Sequence, residues 1–481
     1  MIPRLRSYPA YKDSGVEWLG KVPEHWSVIR GKWLFNCIDV RSTSGDEELL
    51  TVSSERGVIP RSDATVTMFK AESYKGYKLC WLGDLVINSL WAWARGLGVS
   101  QHHGIVSSAY GVYRLKKTYR EYAGFIHRLV RSSPFNYELH VRSKGIWVSR
   151  LQLTDEAFLG APIPLPDRSE QSAIIRFLSH ANCRIQRYIH TKQKLLSVLE
   201  EQKQAIIHQA VTGQIDVRTG KPYPAYKPSG VKWLGDVPEH WEVMRLRNVA
   251  DMRVSNVDKH VKDDENPVRL CNYVDVYNSD YINKRMGFMH ATATNEEIER
   301  FRLERDDVLI TKDSETWDDI GVPALVTESA YDLISGYHLA LLRPRPEKLS
   351  GAYLLRALQS KGLAYQFHVE AKGVTRYGLS HGGITSVWLP LPSSSEQTAI
   401  VRFLVDATTN LDKAVAHTRR QIGLLKEYRT RLIADVVTGK VDVRGIVDKL
   451  PDTDSIADPD VDSTVHDGPG IRDENRCHVR V

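Results

Sequence analysis

The sequence predicts a mixed α/β protein written twice: two α/β domains in tandem pseudo-twofold repeat, separated by two long helices forming an antiparallel coiled pair. Three observations carry this. "YPAYKDSGVEWLGKVPEHWSVIR" from Tyr8 returns as "YPAYKPSGVKWLGDVPEHWEVMR" from Tyr223, at an offset of 215. "PLPDRSEQSAIIRFL" from Pro164 returns as "PLPSSSEQTAIVRFL" from Pro390 at an offset of 226, which holds without a gap to "VTGQIDVR" from Val211 and "VTGKVDVR" from Val437. Between these motifs, both copies run through the same order of strand- and helix-forming segments. Self-similarity on this scale is the mark of a duplicated fold.

The length-locked segments read as long helices. Asp167 with Glu170, and Ser393 with Glu396, have capping-box spacing, and Gly213 and Gly439 stand where a left-handed residue would stop each helix. Roughly 40 residues at 1.5 Å each give a rod of about 60 Å. One apolar seam runs Leu178, Ala181, Ile185, Ile189, Lys192, Leu196, Leu199, Lys203, Ile206, Ala210. Its counterpart runs Leu404, Ala407, Leu411, Val415, Thr418, Ile422, Leu425, Arg429, Leu432, Val436, with polar interruptions at matching places. Alternating steps of three and four make a narrow stripe, and two such stripes can bury each other. Each helix simply covering its own domain is the plainer alternative.

The divergent stretches are expected to be α/β domains. "GDLVIN" from Gly83 and "DDVLIT" from Asp306 read as strands, as do "YGVYRL" from Tyr110 and "GYHLALL" from Gly336. Amphipathic helices "YAGFIHRLVRS" and "SGAYLLRALQS" follow, then turns at Lys144-Gly145 and Lys372-Gly373. The shared scaffold with unlike loops is how a recognition module behaves. The expected boundaries are residues 1–164 and 219–390 for the domains, 165–218 and 391–444 for the helices, and 445–481 for an acidic, disordered tail. In the opening motif, Trp18, Leu19, Val22, Pro23 and Trp26 match between copies and are expected to be packing.

Composition sets outer limits. A chain of 481 residues with 42% hydrophobic and 26% charged residues supports two or three soluble domains. No stretch approaches a membrane span, and Met1 is not followed by a signal-peptide apolar run. Five scattered cysteines without a CxxC pair argue against disulfide or zinc scaffolding and for the cytoplasm. The net charge of +6 conceals −5 on the residues from Ile446 onward, which leaves +11 on the body. A basic body suits a polyanionic partner.

There is no phosphate-binding GxxxxGK[ST] loop, no HExxH, and no motif for placing a methylatable base. Glu370-Ala-Lys372 with Asp306 and Asp307 could hold Mg²⁺ for phosphodiester cleavage, but the other copy reads Arg142-Ser-Lys144, which keeps the lysine and lacks the carboxylate. Nucleic-acid contact has the broader base. One copy carries Trp91, Trp93, Arg95, Gln101, His102 and His103 in its loops, with Lys144, Trp147 and Arg150 near the Lys-Gly turn. The other carries Lys312, Asp313, Glu315 and Trp317, with Lys372, Arg376, Tyr377 and His381. Such side chains supply donors and acceptors for base edges and cations for phosphate. Any one of them is equally consistent with a solvated charge or a core tryptophan; the clustering at corresponding places lifts the set.

"YKDSGVEWLGKVPEHW", repeated mid-chain, and "PLP…SEQ.AI..FL" leading into a helix that ends "VTG" resemble the specificity subunit of type I restriction–modification enzymes. The likeness runs from Tyr8 to Arg444 and stops before the acidic tail. It implies two target-recognition domains, each reading one half of a split, asymmetric double-stranded DNA target, with the helices setting the unread gap. It implies docking of two modification (methyltransferase) subunits and of restriction (translocase–nuclease) subunits. S-adenosylmethionine, ATP and Mg²⁺ would belong to those partners, and this chain would be non-catalytic. A stand-alone DNA nuclease or modifying enzyme, and an orphan protein-interaction adaptor, are the rival readings.

Overall fold

The computed structural model describes residues 5–64, 71–145 and 151–451. The chain divides into two units, residues 1–193 with 420–481 and residues 194–419. The division falls inside the long helices, so neither helix stands apart as a separate domain; each unit takes part of both.

The first unit is built on a four-stranded antiparallel sheet in the order Phe35–Cys37, Tyr110–Leu115, Leu85–Asn88, Leu97–Val99. The run Leu85-Val86-Ile87 is buried on both faces, which is why it reads as continuously apolar rather than alternating. Helix Ala123–Val130 covers one face through Phe125, Ile126, Leu129 and Val130. The second unit repeats the plan with strands Ala250–Val254, Leu339–Pro344, Val308–Thr311 and Pro323–Val326, and adds Tyr281–Ile282 in parallel at the edge. Helix Gly351–Gln359 is its cover. A further three-stranded sheet of Met289–Ala293, Asn266–Cys271 and Leu333–Ser335 has its own small core. Its counterpart in the first unit is the hairpin Leu50–Ser53 with Gly57–Pro60, which Leu49 joins in parallel to Ile105 over a small core of Leu50, Val58, Cys80 and Val106.

The matched motifs fold alike. Strand Ser27–Arg30 pairs with Pro162–Leu165, Val28 opposite Pro164, and strand Glu242–Arg245 pairs with Trp388–Leu391, Val243 opposite Pro390. Trp26 and Trp241 are fully buried, as expected of packing residues.

The long helices are Arg168–Val211 and Ser394–Val437. Asp167 accepts from the Glu170 amide at 2.8 Å, and Ser393 and Glu396 exchange both capping-box bonds at 3.4 Å. Gly213 and Gly439 take φ of 74° and 76° and end the helices. A Cβ at either would also fall 2.4 Å from a proline Cδ, of Pro238 and Pro23 respectively, so these glycines are required for conformation and for space.

The expected pairing of the seams is present in each unit. In the first, Leu178, Ala181, Ile185 and Ile189 share one core with Leu432 and Val436, against which Ile422 and Leu425 pack. In the second, Ala210 and Ile206 share a core with Leu404, and Lys203 reaches Asp412 at 2.5 Å while Glu200 accepts from Arg419 at 2.7 Å. Rising numbers on one helix meet falling numbers on the other, so the pair is antiparallel. Leu196, Leu199, Leu411 and Val415 are only half-buried, as a two-helix seam without a third layer requires.

The residues after the second helix are not all tail. Arg444–Val447 is a short helix, and Val443, Ile446 and Val447 enter the first unit's core. The expected tail from residue 445 thus opens with residues that join the core, and residues 452–481 lie outside those described.

Candidate nucleic-acid interface

In both units the Lys-Gly turn closes onto the same spot, the chain just beyond the buried central strand. Leu153 N–H donates to the Ser89 carbonyl at 2.9 Å, and Leu379 N–H donates to the Lys312 carbonyl at 2.8 Å. Lys144 pairs with Gln152, and Lys372 with Gly378. Each unit thereby brings a loop after the central strand against a loop carrying an exposed lysine.

In the first unit this brings Trp91, Trp93, Arg95 and Lys144 to one end of the sheet. The indoles of Trp91 and Trp93 stack at 6.1 Å, and Trp91 is 48% exposed. Trp93 is tied down by its Nε1–H to the Leu90 carbonyl at 3.0 Å. Arg95 holds φ of 61°, a left-handed conformation uncommon outside glycine, and its guanidinium reaches Ser133 Oγ at 3.2 Å. Gln101, His102 and His103 are not part of this group. Ser100 is bonded to Asp84, before strand Leu85–Asn88, whereas Trp91 follows that strand. The three therefore sit at the opposite end of the sheet, where the His103 ring lies 5.5 Å from Trp81. They are close in sequence to Arg95, but a strand returning antiparallel carries them away. Trp147 and Arg150 lie outside the described residues.

In the second unit the same place holds Lys312, Asp313, Arg376 and Tyr377, with strand Asp313–Ser314 pairing with Tyr377–Gly378. The carboxylate of Asp313 takes His338 Nδ1 at 2.7 Å and Lys312 Nζ at 3.4 Å, and Arg376 approaches the same imidazole at 3.4 Å. Tyr273 and Tyr277 stack at 5.5 Å, and Tyr277 O–H donates to Asp319 at 2.7 Å. Burial, reinforced by the Asp319 hydrogen bond, pushes the Tyr277 phenol up. A groove of about 490 Å³ lined by Lys259, Tyr273, Phe288, Tyr337 and His338 adjoins this cluster. Trp317 is 49% exposed and stands edge-on to His368 at 6.1 Å. Lys372, Arg376 and His381 are exposed. His338, Tyr273 and Tyr277 were not among the sequence candidates. The one available signal was a histidine opening the otherwise apolar run "GYHLALL".

The Mg²⁺ constellation considered above does not assemble. Asp307 is buried in an ion pair with Arg343 at 2.7 Å, and Asp306 binds the Gly351 amide at 2.8 Å. Both precede strand Val308–Thr311, while Lys372 lies beyond its other end. Asp84 and Arg114 form the equivalent pair in the first unit, at 2.8 Å, so these acids brace the sheet.

The polar letters of the repeated motifs form a second cluster in each unit. Glu170, 1% exposed, accepts from Tyr8 O–H at 2.5 Å and Trp26 Nε1–H at 3.0 Å and meets His25 Nε2 at 2.6 Å. Glu396 meets His240 at 2.9 Å, Arg218 at 3.2 Å and Tyr223 at 3.4 Å. Arg444, paired with Asp442 at 2.8 Å, lies over the Tyr8 ring in the first unit. Opening motif, helix cap and "DVR" thus converge on one carboxylate per unit.

The fold so defined is that of a duplicated protein whose two units repeat one α/β plan, with a pair of long antiparallel helices. It matches a solved chain described as "Structural basis underlying complex assembly and conformational transition of the type I R-M system", with a TM-score of 0.61 at 16% identity over 86% of this chain and 98% of that one. Two proteins of Methanocaldococcus jannaschii are similar in sequence. One is a specificity subunit assigned to the type I restriction enzyme MjaX, 22% identical over 43% of this chain and 47% of that protein. The other is the type I restriction enzyme MjaVIII specificity subunit, 20% identical over 64% of this chain and 68% of that protein. The first match spans about half of its relative's length. No family model matches the chain. The resemblance read from the duplicated motifs is borne out by these relatives. Among the described residues, no helix is long and apolar enough to cross a membrane.

Proposed function

We propose that this chain is the DNA specificity subunit of a type I restriction–modification complex, working in the cytoplasm. Each unit reads one half of a bipartite, asymmetric target, and the helix pair sets the unread gap between the halves. The observation that carries this reading is the recurrence of one basic and aromatic site at the same place in two duplicated scaffolds, with different side chains in each. Equivalent position supplies a common way of meeting the duplex; different side chains supply two different half-sites. Arg376 offers a forked donor for a guanine edge, Asp313 an acceptor, and Lys144 and Lys372 charge for phosphate. The chain does no chemistry itself. Two methyltransferase subunits and the restriction subunits dock on it, and they bring S-adenosylmethionine, ATP and Mg²⁺.

The test is to reconstitute the chain with its methyltransferase subunits and map the methylated sites for wild type and for Arg376→Ala. Loss of one bidentate contact should cost about 1–3 kcal/mol and relax a single base position in one half-site. Relaxation in both halves, or in neither, would remove the second unit's cluster from base reading. The rival enzymatic reading is tested by the chain alone with duplex and Mg²⁺, which should leave the DNA intact.

A further inference from the structure

The first long helix carries a row of cations in a stretch that has no acidic residue of its own, and the chain delivers an acidic segment to one end of it. Between Glu170 and Glu200 the helix has no Asp or Glu. Within that stretch Arg176, His180, Arg184 and Arg187 follow at steps of four, four and three, which keeps them on one side of the helix and off the seam of Leu178, Ala181 and Ile185. They are mutually close: beyond burial, Arg184, Arg187 and Arg176 each push the His180 imidazole below its usual range. His180 Nδ1 is buried with no hydrogen-bond partner among the described residues. Arg184 and Arg187 form no ion pair with any described residue.

The last described residues end at this row. Ile446 and Val447 are in the first unit's core, and the Arg176 guanidinium donates to the carbonyls of Leu450 at 3.0 Å and Pro451 at 3.3 Å. Residues 452–481 follow, with eight Asp/Glu against three Arg; the first sixteen, 452–467, hold six Asp and no Lys or Arg. From Arg176 to Arg187 is about 17 Å of helix, which five or six extended residues cover. An opposite charge tethered this close acts at an effective concentration of about millimolar.

We propose that residues 452–467 dock along Arg176, His180, Arg184 and Arg187 as an intramolecular counter-charge. The segment neutralises a stretch of helix that does not neutralise itself and shields it from other polyanions. The occupant is a segment of the same chain, chosen by where that chain leaves the core and by its run of aspartates.

The experiment uses the full chain carrying Arg184→Lys and Arg187→Lys, which keep the charge and add amines. A carbodiimide joins carboxylates to nearby amines, and mass spectrometry reads the pairs. At low salt, the aspartates of 452–467 should couple to the two substituted positions several-fold more than to the other surface lysines. The preference should vanish at about 0.5 M salt. Coupling spread evenly over surface lysines would overturn the proposal. So would a row that fails to couple while Arg184→Glu with Arg187→Glu weakens binding of random-sequence duplex, since the row would then belong to DNA phosphates. The coupling readout does not depend on whether the chain reads DNA, so its failure and failure of the specificity-subunit reading are distinguishable.

Discussion

Glu170 and Glu396 show how much rests on single residues. Glu170 is a buried carboxylate satisfied by three side chains that the opening motif supplies. Replacing it by alanine strands the Tyr8 and Trp26 donors in the core, so Glu170→Ala should lower unfolding free energy by about 2–4 kcal/mol, read by denaturant titration. For Glu396, burial pushes the carboxyl up, but hydrogen bonds from His240 and Ser393 outweigh it and hold the group below its usual range. A depressed folded-state value means the contribution is complete above about pH 4.5 and is lost as pH falls through the folded value. Stability measured from pH 6 down to about pH 3.5 should therefore fall less steeply in Glu396→Gln than in wild type; parallel curves would contradict this. Arg95 allows folding and the proposed DNA contact to be tested apart. Arg95→Gly relieves a left-handed residue and should leave stability unchanged or raise it by up to about 1 kcal/mol while weakening DNA binding. At this scale the sequence was only partly legible. Trp26 and Val22 could be read as packing because apolar letters repeated in two copies have a simple cause. Tyr8, His25 and Glu170 repeat as faithfully, but they lie far apart in the chain, and only the fold shows that they meet. Gln101, His102 and His103 were grouped with Arg95 by proximity in sequence, which an antiparallel return does not preserve.

The helices were the most legible elements, because a seam of fixed period, a capping box and a terminal glycine each have a local cause. Their register is the property that matters. Deleting one residue, Ser197, turns everything beyond it by about 100° and takes one half of the seam off its partner. Removal of seven residues from each helix at facing positions restores the seam. The single deletion should therefore destabilise the chain by several kcal/mol, and the paired heptad deletion far less, as seen in thermal melts. Gly439→Ala tests the helix stop. It forces a left-handed alanine whose Cβ meets Pro23 at 2.4 Å, and should cost about 2 kcal/mol or more. The sheets were legible as strands such as "YGVYRL", but their order was not, since pairing between distant strands leaves no mark in a single sequence. The small second sheet of each unit was unforeseen for the same reason.

For the molecule as a whole, duplication is the organising fact. On the proposed function, two units of one plan with unlike loops at one shared place would read two unlike half-sites, and the paired helices would set the gap. Lys144→Ala and Lys372→Ala should each weaken duplex binding and make its salt dependence shallower, by about one unit of slope or less. An unchanged slope would take that lysine off the DNA. The most direct test of the account is the target recognised after one matched heptad is removed from each long helix. Mapping methylated sites in the reconstituted complex should return the same two half-sites with an altered number of bases between them. Changed half-site bases around an unaltered gap would contradict it.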